Sequence, residues 1–429
     1  MLLLYTYGMT KSTPQMTLSE ELTWRDQVKD KTFDDLTWLD TPKTFYLGVD
    51  CNSSDSMTIG NLAIFLMARR LRKHGWKAVL LVGGATSLIG DPGGKDDERA
   101  LKPREEVLAN VRGIRKQVDL IFSGMSYTPV DNYDWFKDIG YLDFLRDVGK
   151  HFSMTELLQR DFISSRIGEG GSGISYAEFS YSMIQGYDYW QLFKDHGAVL
   201  QIGGSDQWGN MLSGVPLIRK KENEEVHALS MPLVINKSTG KKFGKSEDGA
   251  IWLDGAKTSP YKFYQFWLNL DDDGVEDYLK IYTEITPDEL SELMKRFNED
   301  RSIRLAQKTL AYEVTTLIHG EDAAESVKRV SKVLFGGADY MQLSADDFKV
   351  VIGELGSIKA EVGSNLVDVL VDAKLASSKG EARRFISSKA VYINGKQIDE
   401  SKQLLEASDT IQGYVVLRRG KNSQIVVEV

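Results

Sequence analysis

The sequence predicts an α/β protein whose first half is built on a parallel sheet, and three neighbouring segments carry that prediction. Thr44-Phe45-Tyr46-Leu47-Gly48-Val49 reads as a short strand, residues 60–74 repeat apolar side chains at helical spacing, and Ala78-Val79-Leu80-Leu81-Val82 is continuously apolar. Such a run suits a strand covered on both faces, and strand, helix and strand in succession make a βαβ unit. The helix is marked by Leu62, Phe65, Leu66, Ala68 and Leu71, with Gly75 as its stop. Ala198 to Ile202 is a further buried-strand candidate, broken by Gly203-Gly204. Sheets of this kind bind ligands at the carboxyl ends of their strands, so the polar segments after these strands are the places to search.

Beyond Lys257 the texture changes. Ser259-Pro260 opens a stretch rich in aromatics (Tyr261, Phe263, Tyr264, Phe266, Trp267), and Thr286-Pro287-Asp288-Glu289 is a capping box with proline at the first helical position. Residues 258–340 are therefore expected to form a helical domain, 341–360 a linker after Gly336-Gly337, and 361–429 a small third unit. That unit shows a helix-turn-helix pattern (366–375, then 379–387) leading into a strand and turn at Val391-Tyr392-Ile393-Asn394-Gly395-Lys396. Residues 1–18 are expected to be a disordered N-terminal extension, leaving 19–257 for the sheet domain.

Composition narrows the function. The chain has 429 residues, enough for two or three domains, and a formal charge of -9, so any nucleic-acid contact must use a local basic patch. Its single cysteine, Cys51, excludes an internal disulfide and a cysteine-rich zinc site. No apolar run approaches the ~18 residues that span a membrane. The start lacks a basic n-region and the arginines of a transit peptide, which points to the cytoplasm; Met1, Met9 and Met16 are all candidate starts.

Several stretches carry chemistry. Thr58-Ile59-Gly60-Asn61 begins a helix, where free N–H groups and the dipole favour a phosphate, although a plain cap by Thr58 or Asn61 explains it as well. Gly83-Gly84-Ala85-Thr86 and Gly90-Asp91-Pro92-Gly93-Gly94-Lys95, with Arg99, form a permissive loop: Asp91 suits an ammonium, Lys95 and Arg99 suit phosphates, and a simple turn is the alternative. Tyr181, Gln185 and Asp188 share one helical face among aromatic neighbours, where a polar stripe needs partners from a ligand or from the protein itself. Gln201-Ile202-Gly203-Gly204-Ser205-Asp206-Gln207-Trp208 places Asp206 for ribose hydroxyls and Gln207 for a carbonyl. Lys241-Lys242-Phe243-Gly244-Lys245-Ser246 is a glycine-hinged strip of cations suited to a polyphosphate. Together these describe a site for ATP and a small amino-bearing ligand. There is no Ser-His-Asp set and no metal-ligand spacing.

The segments 81–95 (LVGGATSLIGDPGGK), 132–136 (NYDWF), 178–188 (EFSYSMIQGYD), 200–210 (LQIGGSDQWGN), 241–246 (KKFGKS) and 259–267 (SPYKFYQFW) resemble the bacterial-type tyrosyl-tRNA synthetases, a class I aminoacyl-tRNA synthetase family. The resemblance runs from about residue 20 to the C-terminus. It implies a Rossmann-like parallel-sheet catalytic domain (19–257), an α-helical anticodon-binding domain (258–340) and a small α+β S4-like RNA-binding domain (361–429). It also implies ATP, with its Mg2+, as substrate, and L-tyrosine and tRNA(Tyr) as partners of a homodimer. By residue match, Tyr46 and Asp188 would hold the phenol, Asp91, Tyr181 and Gln185 the ammonium, and Gln207 the carboxylate. Gly48, Asp50, Gly60, Gly204 and Asp206 would hold the nucleoside, and Lys95, Arg99, Lys242, Lys245 and Ser246 the phosphates. Lys379, Arg383, Arg384, Arg418 and Arg419 would meet tRNA, with Lys421 nearby.

Two departures stand out. The family usually carries His-x-Gly-His where this chain has Thr58-Ile59-Gly60-Asn61, and Thr58 and Asn61 would then act as neutral donors. The preceding turn, Asp50 to Ser56, lacks the usual proline and is one residue longer, with Ser53 or Ser54 in place of a threonine hydroxyl. Two alternatives remain at this point: a tryptophan-specific relative, or an RNA-binding protein that has lost catalysis.

Overall fold

Five parallel strands form the first sheet: β1 (Thr44–Asp50), β2 (Lys77–Gly83), β3 (Thr128–Val130), β4 (Ala198–Gly204) and β5 (His227–Met231), in the order β3-β2-β1-β4-β5. The computed structural model describes residues 16–91, 102–167, 171–246, 249–336, 339–420 and 423–429. The expected strands β1, β2 and β4 are present, and the predicted helix, here Ile59–Lys73, joins β1 to β2. β3 and β5 carry weaker signals. β3 is three residues with Pro129 at its centre, tolerable because it is an edge strand. β5 interrupts its apolar pattern with His227 and Ser230, whose side chains are paired inside: the Ser230 hydroxyl donates to Asp30 at 2.8 Å, and the His227 ring Nδ1 lies 3.4 Å from the Thr32 hydroxyl.

The long helix Tyr176–His196 feeds β4. It opens on a capping box between Ser175 and Glu178 and stops at Gly197, whose left-handed φ of 63° favours glycine. Strand order reverses beside β1, so the carboxyl ends of β1 and β4 diverge and leave a crevice. A two-stranded ribbon, β6 (Lys245–Ser246) and β7 (Gly249–Ala250), carries the end of the lysine loop.

The chain divides into two compact units, residues up to 257 with 271–306, and 258–270 with 307–429. The expected helical domain is thus split: the helices Val275–Tyr282 and Pro287–Glu299 belong with the sheet unit. In the other unit the C-terminal sheet has β8 (Ser357–Lys359), β9 (Val391–Ile393), β10 (Lys396–Gln397), β11 (Tyr414–Arg419) and β12 (Ser423–Glu428), ordered β10-β9-β11-β12-β8. Its core gathers Leu366, Val369, Leu370, Ile386, Leu417 and Val427. The stretch expected as a linker is ordered. Ser344 and Asp347 form a capping box opening the helix Ala345–Leu355, Phe348 and Val351 are buried on it, and β8 pairs in parallel with β12. The apolar spacing 348, 351, 352 was the overlooked signal. At the other terminus helix Leu18–Trp24 begins within the expected extension, capped by Thr17 and anchored by buried Leu18.

Candidate active site

A cavity of about 510 Å³ opens at the carboxyl ends of β1 and β4. Every catalytic-domain candidate whose side chain is described lines it, including both glycine positions on the strands, Gly48 and Gly204, and Gly60 at the helix start. Lys95 and Arg99 lie outside the described residues, as do the side chains of Lys245 and Ser246.

One part of the cavity gathers buried polar groups around Asp188. Asp188, one turn beyond Gln185 and two beyond Tyr181 on the same helix, is 2 % exposed. Its Oδ2 accepts from Asn132 Nδ2 at 3.0 Å and its Oδ1 from Trp135 Nε1 at 2.9 Å. Burial pushes the carboxyl up to about 8, a rise that these two hydrogen bonds only partly oppose. Asn132 is itself fixed, donating to Thr86 Oγ1 at 3.1 Å and accepting from the Ala85 amide at 2.7 Å. Tyr46, 1 % exposed on β1, has a buried hydroxyl with no hydrogen-bond partner among the described residues. Burial, then the Asp188 charge, pushes its phenol well above the ordinary value. A buried hydroxyl left unpaired costs ~1–3 kcal/mol, and a ligand hydroxyl bridging Tyr46 and Asp188 would recover that.

Asp91 anchors a second cluster. Its Oδ2 accepts from Gln207 Nε2 at 2.5 Å and its Oδ1 from Asn210 Nδ2 at 3.3 Å, while Asn210 also donates to Gln207 Oε1 at 3.2 Å. The carboxylate expected to hold an ammonium and the amide expected to hold a carboxylate are thus held together. Tyr181 is buried beside them, and its phenol is pushed up by burial and then by the Asp91 charge.

The helix start and the lysine loop line another part of the cavity. Asn61 Oδ1 accepts from both the Thr58 amide and the Thr58 hydroxyl, each at 3.0 Å. With the oxygen turned back on Thr58, the Asn61 NH2 is the half of the amide left to donate outward. Lys242 Nζ lies 3.3 Å from Asp206 Oδ2, so the expected phosphate cation and ribose acid face each other. The unusual turn before the helix is pinned from below. Ser87 Oγ accepts from the Cys51 amide at 2.6 Å and donates to Asp50 Oδ1 at 2.7 Å; Asn110 Nδ2 donates to the Cys51 carbonyl at 2.7 Å. Burial and Asp50 push the Cys51 thiol up, keeping it protonated and unreactive. Ser53 and Ser54 both face the cavity, and Ser54 Oγ also accepts from Lys257 at 2.9 Å. Among the described residues no group of three or more His, Cys, Asp or Glu side chains could hold a metal ion.

Asn132, Trp135, Gln201 and Asn210 had no role assigned from sequence. Gln201 sits on β4 facing the cavity with a buried Oε1 that has no partner among the described residues. A glutamine inside an apolar strand run was its signal; the partners of Asp188 lie in the family-like segment 132–136, but their pairing across 53 and 56 residues left no local sign. Two of the basic candidates of the C-terminal unit share one aromatic: the Arg384 and Arg419 guanidinium carbons lie 5.5 and 5.1 Å from the Phe385 ring centroid. Arg418 lies 3.7 Å over Tyr392, Arg383 is exposed, and Lys379 pairs with Asp368 at 2.7 Å. No helix among the described residues is long and apolar enough to cross a membrane.

Comparison with known proteins agrees with this geometry. Residues 40–336 match the family model of class I tRNA synthetases (W and Y), and residues 347–427 match that of the tyrosine–tRNA ligase SYY-like C-terminal domain. Tyrosine–tRNA ligase 1 of Streptococcus thermophilus is 42% identical over 422 residues, 96% of this chain and 100% of that protein. Tyrosine–tRNA ligase of Listeria welshimeri is also 42% identical over 422 residues, covering 96% of this chain and 99% of its own. Among solved structures, a C-terminally truncated mitochondrial tyrosyl-tRNA synthetase of Aspergillus nidulans superposes with a TM-score of 0.67 at 31% identity, covering 74% of this chain and 94% of that one.

Proposed function

The chain belongs to the tyrosine–tRNA ligases of the class I tRNA synthetases, and from that premise we propose which of its residues does what. The enzyme joins tyrosine to the 3'-terminal adenosine of tRNA(Tyr) at the expense of ATP. A tyrosine carboxylate oxygen attacks the α-phosphorus, the bond to the bridging oxygen breaks, and pyrophosphate leaves. A hydroxyl of the terminal ribose then attacks the tyrosyl carbonyl and AMP leaves. The nucleophile is already an anion, so the protein's task is positioning and charge stabilisation.

We assign the phenol to Tyr46 and Asp188, with Asn132 and Trp135 holding the carboxyl in place. The observation that carries this is the unpaired, buried Tyr46 hydroxyl in the same cavity as Asp188. The ammonium goes to Asp91, Tyr181 and Gln185, and the carboxylate to Gln207 once Asp91 turns to the ligand. Asp206 takes the ribose, releasing Lys242 to the phosphates with Lys245, Ser246, Lys95 and Arg99. Mg2+ would enter with the ATP phosphates. Gly48, Asp50, Gly60 and Gly204 let the nucleotide lie close to the backbone. The test is ATP–pyrophosphate exchange with tyrosine, with tryptophan and with no amino acid; exchange only with tyrosine is expected, and exchange with tryptophan alone would overturn the phenol site.

Thr58 and Asn61 serve as neutral phosphate donors in this scheme. Exchange in a Thr58→Ala, Asn61→Ala protein is expected to fall by ~10-fold or more, on the order of one or two lost hydrogen bonds. An unchanged rate would show that only the backbone of this turn works on the phosphate.

We place tRNA contacts at Lys379, Arg383, Arg384, Arg418 and Arg419, a patch that can neutralise phosphates despite the acidic total. Arg383→Ala with Arg384→Ala should lower tRNA charging several-fold and leave exchange intact; equal loss of both reactions would contradict the assignment. Tyr141, Leu142, Met154, Leu158, Ile167 and Tyr176 are large hydrophobics left exposed, and their burial in a partner copy is what a homodimer would account for. A sedimentation mass near that of the 48.2 kDa chain would refute it. The site of action we infer is the cytoplasm, where tRNA is charged.

A further inference from the structure

The helix Val275–Tyr282 lines no part of the cavity, yet it touches both phosphate-binding segments. Tyr278 and Tyr282 are one turn apart and share a face. The Tyr278 ring stacks on Phe243 of the lysine loop, with centroids 4.4 Å apart and planes at 29°. Its hydroxyl accepts from the Lys237 amide at 3.2 Å and donates to the Ile235 carbonyl at 3.1 Å, gripping the other arm of the same hairpin. The Tyr282 ring lies 5.7 Å from Phe243, and its buried hydroxyl donates to the Ile59 carbonyl at 3.1 Å. Ile59 stands between Thr58 and Gly60, the donors of the helix start.

The two segments also meet directly. Gly244, with φ of 87°, lies so close to Ile59 that a Cβ would come within 2.6 Å of its Cγ1. The Ile59 amide donates to Ile251 and the Ile251 amide to Gly244, at 3.1 and 2.9 Å. The supporting helix is held at its C-terminal end, where carbonyls lack helical partners. Arg70 Nη2 donates to the Ile281 and Thr283 carbonyls at 2.9 and 2.8 Å, and Arg25 Nη1 donates to those of Lys280 and Thr283 at 2.5 and 3.1 Å. Both arginines are buried. Burying two guanidinium groups is costly unless they are well bonded, and here their bonds hold one helix end.

We propose that Tyr278 and Tyr282 are positioning residues for adenylate formation, seating the lysine loop and the Thr58–Asn61 turn on one helix face so that cationic and neutral donors reach the same phosphates at a set spacing. The proposal rests on the phosphate roles assigned above. Tyr282→Phe keeps the ring and removes only the bond to Ile59. It is expected to lower kcat of tyrosine-dependent exchange about tenfold, the effect of one hydrogen bond made to matter in the transition state. The tyrosine KM should stay within twofold and the Tm nearly unchanged. Tyr278→Phe should act in the same direction, and the double variant should lose less than the product of the two, because both hydroxyls serve one seat. Unchanged kcat in Tyr282→Phe, a loss that tracks a lower Tm, a matching rise in tyrosine KM, or fully multiplicative losses would each overturn it. Absence of exchange in the unmodified enzyme would instead remove the functional reading itself, and this inference with it.

Discussion

Lys245→Ala is expected to lower tyrosine-dependent ATP–pyrophosphate exchange by ~10²-fold or more while tyrosine affinity stays nearly unchanged. The donors at the start of the 59–73 helix are neutral, and the Asn61 oxygen is occupied by Thr58. On the roles proposed above, charge building on the α-phosphate and on departing pyrophosphate would fall on the assigned cations, Lys242 and Lys245 of the loop with Lys95 and Arg99. Lys242 stands against Asp206 before nucleotide arrives, so part of its gain is offset by breaking that pair. Lys245, on β6 beyond the glycine turn, is the loop's second cation. Removal of one preorganised donor costs roughly 2.7–4 kcal/mol of transition-state stabilisation in other enzymes. Stopped-flow formation of adenylate separates the terms: kcat should fall and the tyrosine dissociation constant should not. A variant that merely binds tyrosine less well would contradict the assignment.

Asp188→Asn should lower kcat/KM for tyrosine by ~10²-fold, on the order of one charge-assisted hydrogen bond of ~1.5–3 kcal/mol. The amide is a poor substitute because Asn132 and Trp135 both present donors to this side chain, so its NH2 must face one of them. Selectivity over phenylalanine should shrink with it. The general figure for such rejection, ~10⁵, was obtained on this enzyme family and is not independent support. The same carboxyl gives a pH signature. In the ligand-free protein burial raises it to about 8, so at pH 7 it is mostly protonated, and a phenol donating to it favours the ionised form. Tyrosine binding should therefore release up to about one proton at pH 7 and strengthen as pH rises from 6 toward 8. Calorimetry in buffers of different ionisation enthalpy reads this directly; no proton release, or release that persists in Asp188→Asn, would contradict it.

Much of the cavity lining was legible in the sequence. The polar stripe at Tyr181, Gln185 and Asp188 was readable because helical periodicity places these residues on one face whatever surrounds them. Glycine pairs at the ends of β2 and β4 marked the carboxyl edge of the sheet for an equally local reason. The helix at 345–355 was missed because a polar composition outweighed a capping box and a short apolar repeat. The strand at 227–231 was missed because His227 and Ser230 resemble loop residues until their buried partners are known.

Residue type and short-range spacing thus determined by themselves the parallel-sheet class and the glycine-rich segments that line the cavity, and six sequence motifs carried the resemblance to the family. Only the tertiary structure decided which groups face one another: Asn132 and Trp135 on Asp188, Gln207 and Asn210 on Asp91, Lys242 on Asp206, and Tyr282 on Ile59, 223 residues away. The physical reason is that these pairs arise from strand order and from long loops closing. Their closure entropy is offset by the whole core, so no local window of sequence records them.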